Sequence, residues 1–230
     1  MKKPTFFEFI SYEFKPNERG IFFNYKQEFS EGDAINFTER ITLPKDVDVK
    51  HMPAGLLEKL LQGMHLIIGT SYYKFYCATK IKHSYSLSKK EAEFWNTIYK
   101  NGLGEFYYRN NLDPKKSPKF SFDKNAKEQV YSLERNSKYL VALSGGKDSI
   151  VASELLKEQG LDITAIFTET GKQSDLVDKV AKEMGVNLLK IQRGLDQQVF
   201  QKHKYDGHIP ISAVYAFLGI FYAVLYNTIQ

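Results

Sequence analysis

Six consecutive residues, Ser144-Gly-Gly-Lys-Asp-Ser149, have the side-chain types and spacing of a phosphate-binding turn. Gly145 and Gly146 allow the backbone to turn tightly and to approach a ligand without a Cβ atom in the way. The serine hydroxyls and the Lys147 ammonium suit phosphate oxygens. Asp148 suits a metal ion or its bound water, and an aspartate that caps the following helix is an equally good explanation. The simpler alternative for the whole stretch is an ordinary tight turn.

The residues around this stretch predict the elements that must position it. Residues 139–143 form an apolar run typical of a buried strand, and residues 150–156 have the pattern of a helix that ends at Gly160. In a strand–turn–helix unit, the first amide groups of the helix point together at the positive end of the helix dipole. The sequence therefore predicts that residues 144–149 bind the phosphates of a nucleotide.

The alternation of strands and helices continues after the turn. Its members are strands at 139–143, 163–167 and 186–191 and helices near 148–159 and 173–184. Apolar strands that alternate with helices predict a parallel sheet covered on both faces, and such sheets bind ligands at the carboxyl ends of their strands. Thr168 and Arg193 come just after two of these strands, so we expect both to lie beside the turn and to contact the nucleotide.

The N-terminal part of the chain predicts a smaller α+β domain. We expect three strands within residues 6–44, helices at 54–69 and 88–99, and an extended segment at 69–77 between the helices. Its many aromatic residues suit a base-stacking platform or a sheet that packs on its neighbour, and the second is favoured because basic residues are not interleaved with them. Residues 102–111 have no clear period and predict a loop, either structural or part of a substrate pocket.

Composition and apolar runs divide the rest of the chain. Residues 113–138 are rich in lysine and proline and predict a linker with a short helix near 125–133, between an α+β domain at 1–112 and an α/β nucleotide-binding domain at 139–230. The apolar run at 211–226 predicts a buried helix rather than a membrane helix, because serine, glycine and aromatic residues interrupt it. Three parallel strands with an exposed edge form an incomplete sheet, so we expect a domain truncated at its C-terminus.

The composition limits the classes of function. The chain has 230 residues, room for one large or two small domains, and its formal net charge of +5 suits anionic ligands such as nucleotides, phosphosugars or RNA. Its single cysteine, Cys77, excludes an intramolecular disulfide and a cysteine zinc site, which fits a reducing compartment. The first residues lack the features of a signal peptide. We expect a cytoplasmic protein with no membrane, nucleic-acid or protein partner.

The turn at 144–149 resembles the Ser-Gly-Gly-x-Asp-Ser signature loop of the PP-loop ATP pyrophosphatases, which it matches at every fixed position. It is not a Walker A loop, because Val141 and Asp148 stand where that pattern needs glycine and serine or threonine. The resemblance implies a Rossmann-like α/β fold that splits ATP into AMP and pyrophosphate by adenylating a substrate oxygen. Residues 144–149 would then hold ATP, and Asp148 would contact Mg²⁺.

Further stretches resemble, in the family's order, the ATP-dependent epimerases that act on UDP-N-acetylmuramoyl-L-alanyl-L-glutamate in peptidoglycan synthesis. These stretches are residues 69–74, 102–106 with Asn110, 144–149 and 207–210. The resemblance implies inversion of the terminal L-glutamate of a UDP-muramoyl dipeptide to D-glutamate, with Lys147, Asp148 and His208 as candidate catalytic residues. Asp206 departs from the family, in which asparagine precedes the Gly-His-x-Pro element, and family members continue well beyond this chain.

Several roles and functions stay open. His208 suits a general base or a phosphate contact, and a structural hydrogen-bonding histidine is the alternative; Cys77 is a weaker candidate base. The chain also suits another PP-loop adenylating enzyme, either an amide synthetase or a tRNA-modifying enzyme, although thiolases usually add cysteine pairs. A non-catalytic nucleotide-binding fragment is the third possibility.

Overall fold

Seven β-strands form one mixed sheet in the computed structural model, which describes residues 3–44, 47–133, 137–171 and 175–226. The strands are β1 (Pro4–Lys15), β2 (Gly20–Phe29), β3 (Ala34–Thr42), β4 (Lys80–Lys82), β5 (Lys138–Ala142), β6 (Asp162–Glu169) and β7 (Asn187–Gly194). Their order across the sheet is β4-β1-β2-β3-β7-β6-β5. β1 to β3 form an antiparallel meander, β4 pairs parallel to β1, and β5 to β7 are parallel. The predicted α/β class and the three parallel strands are confirmed.

The two halves of the sheet meet where β3 pairs with β7. The pairing is antiparallel and short, with Arg40 opposite Gly194 and Ile41 opposite Arg193. The N-terminal meander and the C-terminal parallel strands are therefore continuous through hydrogen bonds. The division of the chain into domains on either side of residues 113–138 stays a prediction.

Seven α-helices lie among the described residues. They are α1 (Leu56–Ile68), α2 (Thr70–Tyr73), α3 (Lys89–Thr97), α4 (Gly104–Arg109), α5 (Lys147–Glu158), α6 (Asp175–Glu183) and α7 (Ile211–Leu225). The structure confirms the helices predicted at 54–69, 88–99, 148–159 and 211–226 to within two residues. The helix predicted near 173–184 corresponds to α6, and residues 173 and 174 lie outside the described part of the chain.

Three local predictions are wrong. The segment 69–77, predicted to be extended, contains α2, because Tyr72 and Tyr73 are both buried and adjacent residues of a strand would point to opposite faces. The segment 102–111, predicted to be a loop, contains α4. Residues 125–133 form no helix; Val130 there is 93% exposed, so no buried face offsets the cost of helix nucleation.

The main core contains side chains from the meander and from α1, α3 and α7. Helices α1 and α7 pack closely because Gly63 has no side chain: a Cβ atom there would lie 2.7 Å from the ring of Phe217. A smaller core of Leu143, Ala165, Val177 and Ala181 fills the space between the parallel strands and α6. Within the described ranges, no helix is long and apolar enough to cross a membrane.

Candidate nucleotide and substrate site

The turn at 144–149 joins the end of β5 to the start of α5 at the carboxyl edge of the parallel strands. Gly146 is the N-cap residue of α5 and provides no side chain to cap the first amide groups. Ser149 closes the turn, because its hydroxyl donates to the carbonyl oxygen of Gly146 at 2.8 Å and accepts from the amide of Ser144 at 3.2 Å. The helix start therefore presents amide groups with no side-chain cap, an arrangement that binds anions.

The two glycines of the turn differ in what they require. Gly145 has φ +78°, where other residues are strained, and a Cβ atom there would lie 3.4 Å from Leu176 of α6. Gly146 has φ −85°, and a Cβ atom there would meet only the hydroxyl of Ser144, at 3.6 Å. Gly145 is thus needed for the backbone conformation, whereas Gly146 keeps the approach to the helix start open.

Lys147 and Asp148 occupy the first turn of α5 and point into solvent. Their side chains are 88% and 90% exposed, and Lys147 Nζ lies 2.8 Å from Asp148 Oδ1. The N-cap explanation for Asp148 is wrong, because Gly146 holds that position. Both side chains are therefore accessible to a ligand. No group of three or more histidine, cysteine or acidic residues in the described ranges is placed to hold a metal ion.

Thr168 and Arg193 lie at the same edge of the sheet but in different surroundings. Thr168 is half-buried and pairs with Ile191 of β7. Arg193 is only 4% exposed, and its guanidinium donates to Glu39 of β3, at 3.1 Å from Nη2 to Oε2, and to the hydroxyl of Ser71 at 2.7 Å. This ion pair connects the two strands where the halves of the sheet meet, and the nucleotide contact of Arg193 stays a prediction.

A second group of polar residues gathers around residues 206–208, before α7. Lys74 Nζ donates to the carbonyl oxygen of Gly207 at 2.8 Å, and Asn110 Nδ2 donates to that of Asp206 at 2.7 Å. Glu105 Oε2 accepts from the backbone amide of His208 at 3.2 Å and lies 3.2 Å from its Nδ1. Three distant segments of the chain therefore meet at this group, which we call the histidine cluster.

The structure adds an acidic residue to the histidine cluster and bears on the two candidate bases, His208 and Cys77. Glu105 lies beside the imidazole of His208 and was not among the candidate residues predicted from the sequence, although it lies within the stretch 102–106. Cys77 is a poor base, since burial raises the pKa of its thiol to about 12. His208 itself is 83% exposed at its side chain, so it is open to a substrate.

The structure brings the phosphate-binding residues together in one place and His208 in another. Among the described residues, no hydrogen bond or ion pair joins the turn at 144–149 to the histidine cluster. A reaction that used both would need a substrate that reaches from one to the other.

Comparison with known proteins adds a family to this geometry. A family model of the MurL N-terminal domain matches residues 1–230. The chain is 34% identical over 176 residues to the UDP-N-acetyl-alpha-D-muramoyl-L-alanyl-L-glutamate epimerase of Xanthomonas oryzae pv. oryzae, covering 75% of the chain and 38% of that protein. It is 27% identical over 231 residues to the protein of the same name from Salinispora tropica, covering 98% and 50%.

Shorter matches connect the chain to other enzymes. It is 40% identical over 52 residues to the tRNA(Ile)-lysidine synthase of Chlamydia muridarum, covering 23% of the chain and 16% of that protein. No solved structure gives a significant match. The chain spans half or less of the length of the two epimerases described above.

Proposed function

The chain belongs to the MurL N-terminal domain family, and from this we propose that it forms the ATP-binding part of an epimerase. The reaction inverts the terminal L-glutamate of UDP-N-acetylmuramoyl-L-alanyl-L-glutamate to D-glutamate in peptidoglycan precursor synthesis. Relatives that bear the name of this reaction match up to 98% of the chain. Because the proposed reaction consumes ATP, we propose that the protein acts in the cytoplasm.

The observation that carries this proposal is the turn between β5 and α5. It combines a left-handed Gly145, helix amides with no side-chain cap and an exposed Lys147 at the carboxyl edge of parallel strands. A nucleotide triphosphate fits this arrangement, because its phosphates can accept from the amides while the ammonium neutralises their charge.

Adenylation makes the inversion chemically feasible. The α-proton of a glutamate is hard to remove beside an ionised carboxylate, because the product carries two negative charges. In the proposed first step, a carboxylate oxygen attacks the α-phosphorus of ATP and pyrophosphate leaves, so the acyl group is no longer charged. A base then removes the α-proton, and a proton returns from the opposite face. Water finally cleaves the acyl–phosphate bond, which gives D-glutamate and AMP.

The residues of the turn, Thr168 and His208 each have a part in this scheme. The amides of residues 145–149 and the Lys147 ammonium hold the phosphates and stabilise charge on the departing pyrophosphate. Asp148 would hold Mg²⁺, which would shield the charge of the triphosphate; Mg²⁺ commonly uses only one or two protein carboxylates. Thr168 contributes a hydroxyl at the same edge. His208 is the candidate base, and Glu105, 3.2 Å from its Nδ1, orients the imidazole.

The test follows both the nucleotide and the glutamate. The epimerase of which this chain is proposed to be a part is incubated at full length with the UDP-muramoyl dipeptide, ATP and Mg²⁺ in D₂O, with the Xanthomonas oryzae epimerase as positive control. We expect AMP, pyrophosphate, D-glutamate and deuterium at the glutamate α-carbon, and Lys147→Ala should abolish all of them. ADP as the main nucleotide product, or deuterium uptake without ATP, would contradict the proposal.

His208→Ala separates the two roles of the histidine. If His208 is the base, pyrophosphate release continues while deuterium uptake falls, because adenylation precedes proton removal. If it contacts phosphate, both fall together. If the variant and the parent protein release pyrophosphate at the same rate and take up deuterium at the same rate, His208 has no part in the mechanism.

A second candidate function is that of a different PP-loop adenylating enzyme. The short matches to tRNA-modifying enzymes support it, although each covers less than a quarter of the chain. Pyrophosphate release that responds to transfer RNA, or to an amine acceptor, with no change at the glutamate centre would favour this function. ATP binding without turnover would favour a non-catalytic nucleotide-binding fragment.

A further inference from the structure

A pocket of about 840 Å³ lies beside α2, α4 and the start of β3, away from the turn at 144–149. Its walls are rich in tyrosine: Tyr73 and Tyr107 are buried at the back, and Tyr76 and Tyr205 are half-buried. The ring of Phe29 packs edge-on against Tyr76, with 5.0 Å between centroids, and supports it. Half-buried aromatic rings that line a concave surface are suited to a flat ring of a ligand.

The rim of this pocket carries strong positive charge. Lys3, Lys116 and Lys204 line it, and a neighbouring groove of about 480 Å³ shares Lys116 with it and adds three more lysines, Lys80, Lys115 and Lys119. Among the described residues, only two acidic ones, Asp33 and Asp113, line the pocket and none lines the groove. Asp113 is already engaged as a cap, accepting from the amide of Lys115 at 2.9 Å.

Among the residues that the structure describes, the lysines of this rim have no acidic partner. None of the six makes an ion pair with another residue in the part of the chain that the structure describes. Clustered like charges repel each other, and an anion that binds among them relieves that repulsion. The rim is therefore suited to a ligand with more than one negative charge, such as a diphosphate.

The pocket and the histidine cluster share their backbone segments. Tyr73 precedes Lys74, Tyr107 lies between Glu105 and Asn110, and Tyr205 lies three residues before His208. In each of these segments, one side chain lines the pocket and a neighbour belongs to the cluster. A ligand that fills the pocket is thus placed next to the cluster.

The topology of the sheet puts the pocket beyond the same edge as the phosphate-binding turn. Because β3 runs antiparallel to β7, the start of β3 extends past the carboxyl end of β7, and Gln198 there donates to the carbonyl oxygen of Asn36 at 2.7 Å. β3 and β5 are three strand spacings apart, roughly 14 Å. One edge of the sheet therefore has two separate places for ligands.

We propose that the tyrosine-lined pocket binds the nucleoside diphosphate end of the substrate, with the pyrimidine ring against Tyr76 and Tyr205 and the diphosphate against Lys116 and Lys204. This assignment rests on the proposed function, whose substrate carries UDP at one end and glutamate at the other. It leaves the turn at 144–149 for ATP. The glutamate end of the substrate then points away from the pocket, past the histidine cluster.

The test measures UDP binding to the 230-residue chain by isothermal titration calorimetry. UDP should bind more tightly than uridine. Added salt should lower the affinity for UDP more than the affinity for uridine, because only UDP contacts the lysines. The Lys116→Gln/Lys204→Gln double variant should lose about tenfold or more in UDP affinity, the effect of removing charge-assisted hydrogen bonds. Lys89→Gln, an exposed lysine on α3, is the matched control and should bind UDP like the parent chain.

Two further variants distinguish the pocket from the ATP site and from misfolding. Tyr76→Ala should weaken the binding of both UDP and uridine. Tyr76→Phe should retain the binding of both, since the ring and not the hydroxyl makes the contact. Lys147→Ala should weaken ATP and leave UDP unchanged. Thermal unfolding of each variant checks that the fold is intact.

The outcomes separate this proposal from the proposed function. Three results would overturn the pocket assignment, even if the full-length epimerase inverts glutamate. They are no UDP binding, a UDP affinity that is unchanged in the lysine double variant, and a UDP affinity that is lost in Lys147→Ala. UDP binding that depends on Lys116 and Lys204 would support the assignment, even if the deuterium assay rejects the epimerase function.

Discussion

The ion pair between Glu39 and Arg193 offers a quantitative test of how the two halves of the sheet are held together. Glu39 is fully buried and Arg193 is 4% exposed. Both guanidinium Nε and Nη2 donate to the carboxylate, and Tyr72 donates its hydroxyl to Glu39 Oε2 at 2.7 Å. Glu39→Gln removes the negative charge and leaves a buried guanidinium without its counter-charge.

Breaking a buried ion pair on one side costs about 3–5 kcal/mol, so we expect the free energy of unfolding to fall by that amount in Glu39→Gln. Urea unfolding followed by the fluorescence of Trp95, the one tryptophan of the chain, measures it. Glu93→Gln is the control: Glu93 lies 3.9 Å from Lys89 on an exposed helix face, so its loss should change stability by no more than about 0.5 kcal/mol.

A double variant makes the reasoning refutable on a second point. Glu39→Leu/Arg193→Met replaces both charges by apolar side chains and should recover most of the lost stability, because no unpaired charge remains. A loss below about 1 kcal/mol in Glu39→Gln would refute the electrostatic reasoning. ATP affinity of the double variant decides the predicted nucleotide contact of Arg193: an unchanged value would limit Arg193 to a structural role.

Three more predictions concern single positions. Gly145→Ala should weaken ATP binding and cost about 1 kcal/mol of stability, because φ at this position is +78°. Gly146→Ala should keep the fold, because φ there is −85°. Calorimetry compares the ATP affinity of the two variants, and thermal unfolding compares their stability. Gly63→Ala should destabilise the chain by about 1–3 kcal/mol in urea unfolding, and a smaller residue at Phe217 should restore part of the loss. Burial lowers the pKa of His65 from 6.5 to about 3, so between these pH values the unfolded chain binds a proton that the folded chain does not. The contribution of His65 to stability should therefore be full above pH 6.5 and fall towards pH 3. The fall should be smaller in His65→Gln.

Local sequence signals predicted the parts of the structure that local interactions form. Ser88 and Glu91 predict a capping box, and the structure contains both of its hydrogen bonds, at 3.2 Å from the Glu91 amide and 2.8 Å from the Ser88 amide. The turn at 144–149 and the strands around it are likewise visible in short stretches, because glycine, helix-start and apolar patterns act within a few residues of each other.

The wrong predictions concern segments whose conformation depends on distant residues. Tyr72 forms part of a helix because its ring packs on Phe37 and its hydroxyl reaches Glu39, neither of which is near it in the sequence. The segment near Val130 has helix-forming residues but nothing to cover them. For Tyr72, packing against residues from elsewhere in the chain overrides the local preference for a strand. Near Val130 no such packing occurs, so the helix propensity of the segment has no effect.

The same distinction separates the two ligand sites that we propose. The phosphate-binding part of the ATP site is one contiguous loop, so its residues could be named from the sequence. The nucleoside diphosphate site draws Tyr73, Tyr107 and Tyr205 from three segments that only the fold brings together, and each of these tyrosines taken alone has the pattern of a core residue. Because the same segments carry Lys74, Glu105 and His208, a shift of their backbone on UDP binding would also move the candidate base. The position of the nucleotide end would thereby influence the geometry at the glutamate end, where the base must lie close to the α-proton.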